Sequence, residues 1–370
     1  MVVGDRSDMA AWDKRDDMLV HGQDPFNAEP VPTALHGHDL TPVDAFYTRN
    51  HGKVPVADPE QWRLVVDGLV GTALRLCLDD LRTGFEPRSL VATLQCAGNR
   101  RAEMAAVREI VGEDPWQRCA TSTARWVGVA LTDVLAAAGV GPAARHVAFG
   151  APDVSSLAHP PQTYGASIPL SKATGPEVLL AWEMNDQPLP AVHGAPVRVV
   201  VPGYIGARSV KWVDHVSVRS EPSDNYFQAT AYRILPPQVD PACAAPGNGI
   251  SLGPVALNCE ILQPGDDDRV SAGPVSIGGY AFAGDDRTVA RVDVSVDRGQ
   301  TWQQATLRPQ SGPWAWRLWT ATVEVSCGPV TALARAWDST GALQPESSAA
   351  LWNPKGYANN SWPHVDFWAD

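Results

Sequence analysis

Two consecutive prolines, Pro236 and Pro237, separate two parts of the chain that differ in residue pattern. Proline has no backbone N–H and ends regular strand pairing, so an interior strand does not continue through this position. The chain of 370 residues also exceeds the usual size of a single domain. We therefore predict two domains, residues 1–237 and residues 238–370.

The second part alternates apolar and polar residues in short segments, residues 292–296, 314–325 and 330–337, with a turn at residues 297–300. This pattern indicates an immunoglobulin-like β-sandwich. The first part mixes element types after an irregular arm predicted at residues 21–60. Its predicted strands are residues 62–69, 74–76, 90–94, 145–150 and 197–201, and its predicted helices are residues 78–81, 103–111 and 129–138. The predicted fold class is therefore α+β.

Charge and cysteine content limit the possible partners and location. The net charge of -12 argues against nucleic acid or an anionic membrane as the main partner, because either needs a basic face. The six cysteines are scattered without a C-x-x-C pair, which fits neither a disulfide framework nor a zinc site. Residues 1–17 carry no export signal and no apolar run reaches membrane-spanning length. We expect a cytoplasmic protein, or a periplasmic one if a leader was removed.

The first chemical motif is Cys96-Ala-Gly-Asn-Arg-Arg101, which follows the strand predicted at residues 90–94. Gly98 and Asn99 suit a tight turn, so the thiol is expected at a strand end and outside a core. Arg100 and Arg101 bring two positive charges close to Cys96 and favour its thiolate, the form that attacks substrates or binds metals. A structural cysteine beside two solvated arginines is the alternative.

The second motif spans residues 193–212, where a buried strand leads into a loop with glycines at 203 and 206. Glycine allows backbone N–H groups to approach a ligand closely. Four basic side chains are expected to converge there, from His193, Arg198, Arg208 and Lys211. In an acidic protein this indicates a bound anion. The Walker and dinucleotide glycine patterns are both absent.

Both motifs resemble the sulfite oxidase family of molybdopterin enzymes, and the haem-free, plant-type branch is the most similar. The resemblance implies that Cys96 is the only protein ligand of the molybdenum, for which a soft thiolate is suited. It implies a mixed α/β molybdopterin-binding domain followed by an immunoglobulin-like dimerisation domain. Residues 193–211 resemble the pterin-phosphate site, and Phe46-Tyr-Thr-Arg-Asn-His-Gly52 resembles a segment that lies against the cofactor.

The resemblance also implies a set of site residues. The cofactor-binding residues it implies are Tyr47, Arg49, Asn50, His51, Cys96, Asp153, His193, Arg198, Ser209, Val210 and Lys211. The catalytic residues it implies are Cys96, Arg49, Arg101, Trp116, Tyr232 and Lys355.

Four of these assignments keep an alternative. Trp116 fits core packing as well as site lining, Asp153 fits a turn, and Lys355 fits a solvated surface. Ala231 replaces the acidic residue that the family commonly has before the tyrosine that matches Tyr232. Lys355 stands where sulfite oxidases commonly carry an arginine and where eukaryotic nitrate reductases carry an apolar residue.

The function implied by the resemblance is oxidation of sulfite to sulfate by oxygen-atom transfer at a molybdenum-molybdopterin cofactor. No haem is expected in this chain, so electrons are expected to pass to oxygen or a soluble cytochrome. A homodimer is expected. A nitrate reductase-like activity is the alternative of the same fold, and a silent anion-binding module is the non-enzyme alternative, which would have no need of Cys96.

Overall fold

The computed structural model describes residues 12–370. Residues 1–11, which belong to the segment in which we predict no export signal, lie outside the described residues. Within residues 12–237 the strands are β1 (Leu19–Gln23), β2 (Phe26–Glu29), β3 (Leu64–Gly68), β4 (Leu74–Leu76), β5 (Pro87–Gln95), β6 (Thr121–Ala130), β7 (His146–Ser155), β8 (Gln162–Pro169), β9 (Leu179–Met184), β10 (Gln187–Pro188), β11 (Arg198–Val200), β12 (His215–Arg219) and β13 (Arg233–Ile234). The helices there are α1 (Pro32–Leu35), α2 (Leu78–Gly84), α3 (Arg101–Val107), α4 (Leu131–Ala138), α5 (Leu170–Ala173) and α6 (Tyr226–Ala229). Short 3₁₀ turns lie at Val43–Ala45, Ala191–His193 and Gly206–Arg208.

After Pro237 the described elements are strands and two 3₁₀ turns, Pro241–Cys243 and Ser348–Leu351. The strands are β14 (Ile250–Ser251), β15 (Asn258–Gln263), β16 (Arg269–Val270), β17 (Gly273–Phe282), β18 (Val289–Ser295), β19 (Gln303–Gln304), β20 (Thr306–Leu307), β21 (Arg317–Val325), β22 (Gly328–Asp338) and β23 (His364–Ala369). No helix in residues 12–370 is long and apolar enough to cross a membrane.

Two five-stranded sheets form the first part. One has the order β10-β9-β6-β5 with β11 also paired to β9, and the other has the order β4-β3-β12-β7-β8. Burial follows the period of two expected of strands, since Leu64 and Val66 of β3 are fully buried while Val65 between them is exposed. The last four residues of β5 are all buried, and Cys96 follows them directly. The end of the strand therefore holds Cys96 at a fixed, enclosed position.

The second part is a β-sandwich. The sheet β15-β17-β21-β20 and the sheet β16-β23-β22-β18-β19 share one apolar core rich in valine and alanine. In β17, Ile277 faces this core, whereas Tyr280 and Phe282 join the core of the first part. One sheet is therefore covered on both faces and packs the sandwich against the first part. The predicted α+β class, with a mixed region followed by a β-sandwich, is confirmed.

Several local predictions need correction. The arm at residues 21–60 is not wholly irregular, because β1 and β2 pair as a hairpin near its start. The helix predicted at residues 103–111 is α3, which begins at Arg101 and ends at Val107. The helix predicted at residues 129–138 begins only at Leu131, since the residues before it extend β6. The strand predicted at residues 145–150 continues through a bulge to Ser155. The boundary after Pro237 stays a prediction.

A buried cluster of charges joins the two parts of the chain. The Arg100 side chain has no exposed surface and donates two hydrogen bonds to Glu103, at 2.7 and 2.8 Å. It also donates to the Ser361 carbonyl at 2.7 Å and lies 3.3 Å from the Glu260 carboxylate of β15. A buried charge is tolerated when it is paired and hydrogen-bonded, and here the partners come from both parts.

We expect Arg100→Met to lower the free energy of unfolding by about 3–5 kcal/mol, because it leaves the buried Glu260 carboxylate without its closest counter-charge. Chemical denaturation followed by tryptophan fluorescence measures this change. The matched control is Arg125→Met, since Arg125 forms an ion pair with Asp186 at the surface, where such pairs contribute about 0–1 kcal/mol. Equal, small effects of the two substitutions would contradict the prediction.

Candidate functional site

Cys96 lies directly after β5 and is held by backbone contacts on both sides. Its N–H donates to the Ala120 carbonyl at 2.8 Å, and its own carbonyl accepts from Asn99 at 3.0 Å. The Gly98 N–H points at the Cys96 sulfur at 3.4 Å. The predicted position at a strand end is confirmed, but the prediction that the thiol avoids a core is wrong, because only 6% of Cys96 is exposed. Burial raises the pKa of the thiol, although Arg101 and Arg49 act to lower it.

Only one of the two arginines beside Cys96 acts on the thiol. Arg100 adopts a left-handed conformation with φ of 62° and directs its side chain to the charge cluster between the two parts. Arg101 lies between two glycines, since an added Cβ at Gly98 or Gly356 would collide with its side chain. The prediction that both arginines favour the thiolate is therefore corrected. Of the two, only Arg101 does so, and Arg49 from another part of the chain acts in the same direction.

Cys96 lines an inner cavity of about 60 Å³ together with most of the residues predicted to bind a cofactor. Its walls include Tyr47, Arg49, Asn50, His51, Cys96, Asp153, His193, Arg198, Ser209, Lys211 and Tyr232. Arg49 and Lys211 both hydrogen-bond Asn50. Asn50 therefore ties both side chains to one part of the cavity wall.

Basic side chains on one side of the inner cavity are only partly balanced by opposite charge, since Asp153 acts on Lys211 but does not outweigh its burial. Burial, and then the repulsion of neighbouring cations, lowers the pKa of His193 and of Lys211 well below their ordinary values. Burial also lowers the pKa of Arg198 to about 10. A bound anion would oppose these shifts, so the cluster has the electrostatics of an anion site. Arg208 does not join it, because its guanidinium donates to the carbonyls of Phe227 and Leu252.

Other predicted cofactor contacts take distinct positions around the cavity. Ser209 accepts a hydrogen bond from the Val201 N–H at 3.0 Å. Val210 is buried and pairs through its carbonyl with Val199, so its side chain does not line the cavity. Asp153 lies in the bulge of β7, not in a turn after it, and burial raises the pKa of its carboxyl to about 7. The Asp153 Oδ1 atom has no hydrogen-bond partner in the described part of the chain.

A second, outer cavity of about 200 Å³ lies beside the first and shares three residues with it, Arg49, His51 and Tyr232. The hydroxyl of Tyr232 and Nε2 of His51 are 2.6 Å apart. Lys355 lines the outer cavity, which rules out a solvated surface position for it. Most of the predicted site residues, from distant parts of the sequence, therefore line one pair of adjoining cavities.

Arg101 lies next to the outer cavity and is fixed by three neighbours. It donates to the Lys355 carbonyl at 2.9 Å and to the Asp114 carbonyl at 2.7 Å, and it is 3.4 Å from the Glu113 carboxylate. Trp116 lines neither cavity. It is fully buried, belongs to the apolar cluster around Cys96 and lies against His21 with ring centres 4.7 Å apart. For Trp116 the structure favours packing over site lining.

Sequence reasoning missed two acidic residues in the outer cavity. Glu113 accepts from Lys355 at 2.8 Å, and Asp114 lies 3.8 Å from Arg49. Burial acts to raise the pKa of Glu113, but Arg101 and Lys355 outweigh it and hold the pKa below its ordinary value. Adjacent acidic residues in a polar segment carry no signal in the sequence, because such pairs are usually solvated.

The cavities contain no self-sufficient metal site. In residues 12–370 no group of three or more His, Cys, Asp or Glu side chains could hold a metal ion. All six cysteines are free thiols, and Cys96 is the cysteine on the inner cavity. Cys96 could supply one thiolate to a metal bound in the inner cavity.

Two protein-family models match this chain. Residues 51–227 match an oxidoreductase molybdopterin-binding domain, and residues 253–368 match a Mo-co oxidoreductase dimerisation domain. The chain is 45% identical over 360 residues to mitochondrial sulfite oxidase of Homo sapiens, covering 94% of this chain and 65% of that protein. It is 39% identical over 369 residues to sulfite oxidase of Arabidopsis thaliana, covering 94% of this chain and 93% of that protein.

A solved structure that is similar over most of the chain supports the same fold. It is the sulfane dehydrogenase SoxCD from Paracoccus pantotrophus, with a TM-score of 0.80 and 25% sequence identity, and the match covers 95% of this chain and 88% of that chain. The fold and both regions of the chain are therefore shared with proteins of known architecture.

Proposed function

Because the chain belongs to the sulfite oxidase family of molybdopterin oxidoreductases, we propose that it oxidises sulfite to sulfate by oxygen-atom transfer. The observation that carries the proposal is the pair of adjoining cavities. The inner one contains Cys96 and the anion site, the outer one contains Lys355, and Arg49, His51 and Tyr232 line both. A small anion in the outer cavity would lie next to the group bound in the inner one.

The residues of the inner cavity fit the molybdenum cofactor by their chemistry. The basic side chains His193, Arg198 and Lys211 suit its phosphate, and the unpaired Asp153 Oδ1 suits an N–H donor of the pterin. Cys96 would bind the metal as a thiolate, and metal binding would overcome the raised pKa of the thiol. When bound, the cofactor supplies the two-electron redox chemistry, and the protein supplies binding and electrostatics.

The substrate would bind in the outer cavity through Arg49 and Lys355, which line it, and Arg101, which lies next to it. Charge-assisted hydrogen bonds from Arg49, Arg101 and Lys355 to sulfite oxygens each contribute about 1.5–3 kcal/mol. Glu113 and Asp114 neutralise part of this charge in the free protein. Substrate binding therefore requires Lys355 to exchange its contact with Glu113 for one with the anion. The Tyr232 hydroxyl, held by His51, offers one further hydrogen bond at the shared wall.

Nitrate reduction is the alternative, since nitrate is also a small oxyanion that the same cations could bind. A lysine at position 355 favours sulfite, because a charged group there adds attraction for a dianion. Steady-state assays of the purified protein with sulfite as reductant and with nitrate as oxidant separate the two activities. If the protein reduces nitrate but does not oxidise sulfite, the proposal is overturned.

We expect Cys96→Ser to retain the pterin and to abolish sulfite oxidation, because the pterin keeps its phosphate and ring contacts while the metal loses its protein thiolate. Pterin content, molybdenum content and sulfite turnover are measured on the same preparation. Cys119→Ser is the matched control, since Cys119 is also buried but lines neither cavity. Sulfite turnover by Cys96→Ser within a few-fold of the wild type would refute the assignment.

We expect Lys355→Met to raise KM for sulfite at least tenfold, about 1.4 kcal/mol or more, because the outer cavity loses a positive charge. Lys355→Arg should keep or improve KM, since it preserves the charge and presents two donors to the anion in a planar fork. Glu113→Gln should change KM in the opposite direction to Lys355→Met, because it releases Lys355 and Arg101 from their carboxylate. Unchanged sulfite kinetics in Lys355→Met would place this side chain outside the substrate site.

The proposal includes a homodimer formed mainly by residues 238–370, with the same surface of each copy in contact. The match of residues 253–368 to a dimerisation domain supports it. One chain has a mass of 39.6 kDa. Light scattering at micromolar concentration should give twice this mass, and a monomeric mass would contradict the proposed dimer.

The electron acceptor, oxygen or a soluble cytochrome, and the cytoplasmic location remain predictions. Sulfite turnover under oxygen and then anaerobically with cytochrome c distinguishes the acceptors.

A further inference from the structure

A lysine from the start of the described chain reaches the back of the anion site. Lys14 precedes β1, yet only 6% of it is exposed. Its Nζ donates to the carbonyls of Val43 at 2.7 Å and Phe46 at 2.8 Å, and it lies 2.8 Å from Nε2 of His193. A protonated lysine has three N–H donors and no acceptor. When Lys14 is protonated, all three of its donors are therefore used, and Nε2 of His193 is the acceptor of the third.

This contact determines which nitrogen of His193 carries the proton. If Nε2 accepts from Lys14, the neutral ring carries its proton on Nδ1. Burial, and next the charge of Lys14, keep the pKa of His193 well below its ordinary value, so the ring stays neutral. His193 also lines the inner cavity. With Nε2 occupied by Lys14, the Nδ1–H is the ring group left to donate to a ligand.

Apolar packing holds Lys14 in this position. Trp12 stacks on Phe26 with ring centres 6.0 Å apart, and Met18 and Phe26 belong to one apolar cluster with Val192. Val192 immediately precedes His193, so the same cluster anchors both partners of the Lys14–His193 contact. Residues 12–18 thus form a strap that fixes Lys14 behind the imidazole ring.

The charge balance around Lys14 also indicates an anion. Burial lowers the pKa of Lys14 to about 7, and the carboxylates of Asp44 and Asp13 offset this only in part. Lys14 adds a fourth basic group to His193, Arg198 and Lys211, whose pKa values are lowered as well. An anion bound against His193 would stabilise the charged form of Lys14, and by linkage charged Lys14 would stabilise the bound anion.

We propose that Lys14 is a positioning residue of the phosphate site: it fixes His193 as the Nδ1–H tautomer and adds positive charge behind it, so that cofactor retention depends on the strap at residues 12–18. The identity of the ligand as the pterin phosphate rests on the proposed function. The tautomer and the anion affinity do not depend on it.

The test uses three variants of the full chain. Lys14→Met removes the charge and the donor, Lys14→Arg keeps both, and Lys53→Met is the control, because Lys53 is 85% exposed and lies 3.7 Å from Asp24. Release of pterin from the holoenzyme is followed by fluorescence, and inorganic phosphate is titrated into the cofactor-free protein by calorimetry at constant ionic strength. Lys14→Met should release pterin at least tenfold faster and bind phosphate at least tenfold more weakly. Lys14→Arg and Lys53→Met should both stay within about threefold of the wild type.

A second measurement reports the tautomer directly. In the cofactor-free protein with ¹⁵N-labelled histidine, His193 should give the Nδ1–H pattern, and Lys14→Met should shift it toward Nε2–H. His193→Gln assigns the signal. Should Lys14→Met fail to fold, Lys14→Gln replaces it, because glutamine keeps a donor without the charge.

Each outcome decides for or against the role of Lys14. Wild-type phosphate affinity and pterin release in Lys14→Met would overturn it. Equal losses in Lys14→Met and Lys14→Arg, with both folded, would also overturn it and leave Lys14 as a packing residue. If the wild type shows no sulfite turnover while the phosphate and tautomer results hold, the proposed activity fails and the role of Lys14 stands.

Discussion

The guanidinium of Arg100 is buried between the two parts of the chain, and the geometry of the site depends on how it is held there. Its side chain binds Glu103 of α3 and the Ser361 carbonyl, and it lies against Glu260 of β15. The Asn359 side chain donates in turn to the Arg100 carbonyl at 2.9 Å. Since Arg100 is four residues after Cys96, these contacts fix the turn that carries the thiol. The β-sandwich is therefore part of the support of the site as well as a neighbouring domain.

The two cavities differ in how their buried basic side chains are balanced by negative charge. In the inner cavity, Asp153 does not offset the burial of the basic side chains, whose pKa values stay lowered, so an anion would be stabilised there. In the outer cavity, Glu113 and Asp114 already balance part of the positive charge. A tightly held anionic group suits the first arrangement, and an anion that must enter and leave suits the second.

Local patterns in the sequence predicted local structure well. The hairpin of β3 and β4, the strand that ends before Cys96 and the strands of the sandwich follow from alternation and turn residues, which act between near neighbours. The prediction for Arg100 was wrong for the same reason. Two adjacent arginines look alike in the sequence, but the direction of each side chain depends on Glu260 and Gly356, which lie far along the chain.

The sequence by itself determined the mixed first part, the sandwich after it, and the resemblance carried by Cys96–Arg101 and by residues 193–211. It also indicated an anion site, because basic residues concentrated around glycines in an acidic chain create a local positive potential that attracts an anion. Only the tertiary structure decided that Lys355 lines a cavity, that Trp116 does not, and that Lys14 lies behind His193. These facts depend on contacts between residues more than a hundred positions apart or on packing around a whole cluster. Such contacts form through burial and close approach, which leave no periodic trace in the order of residues.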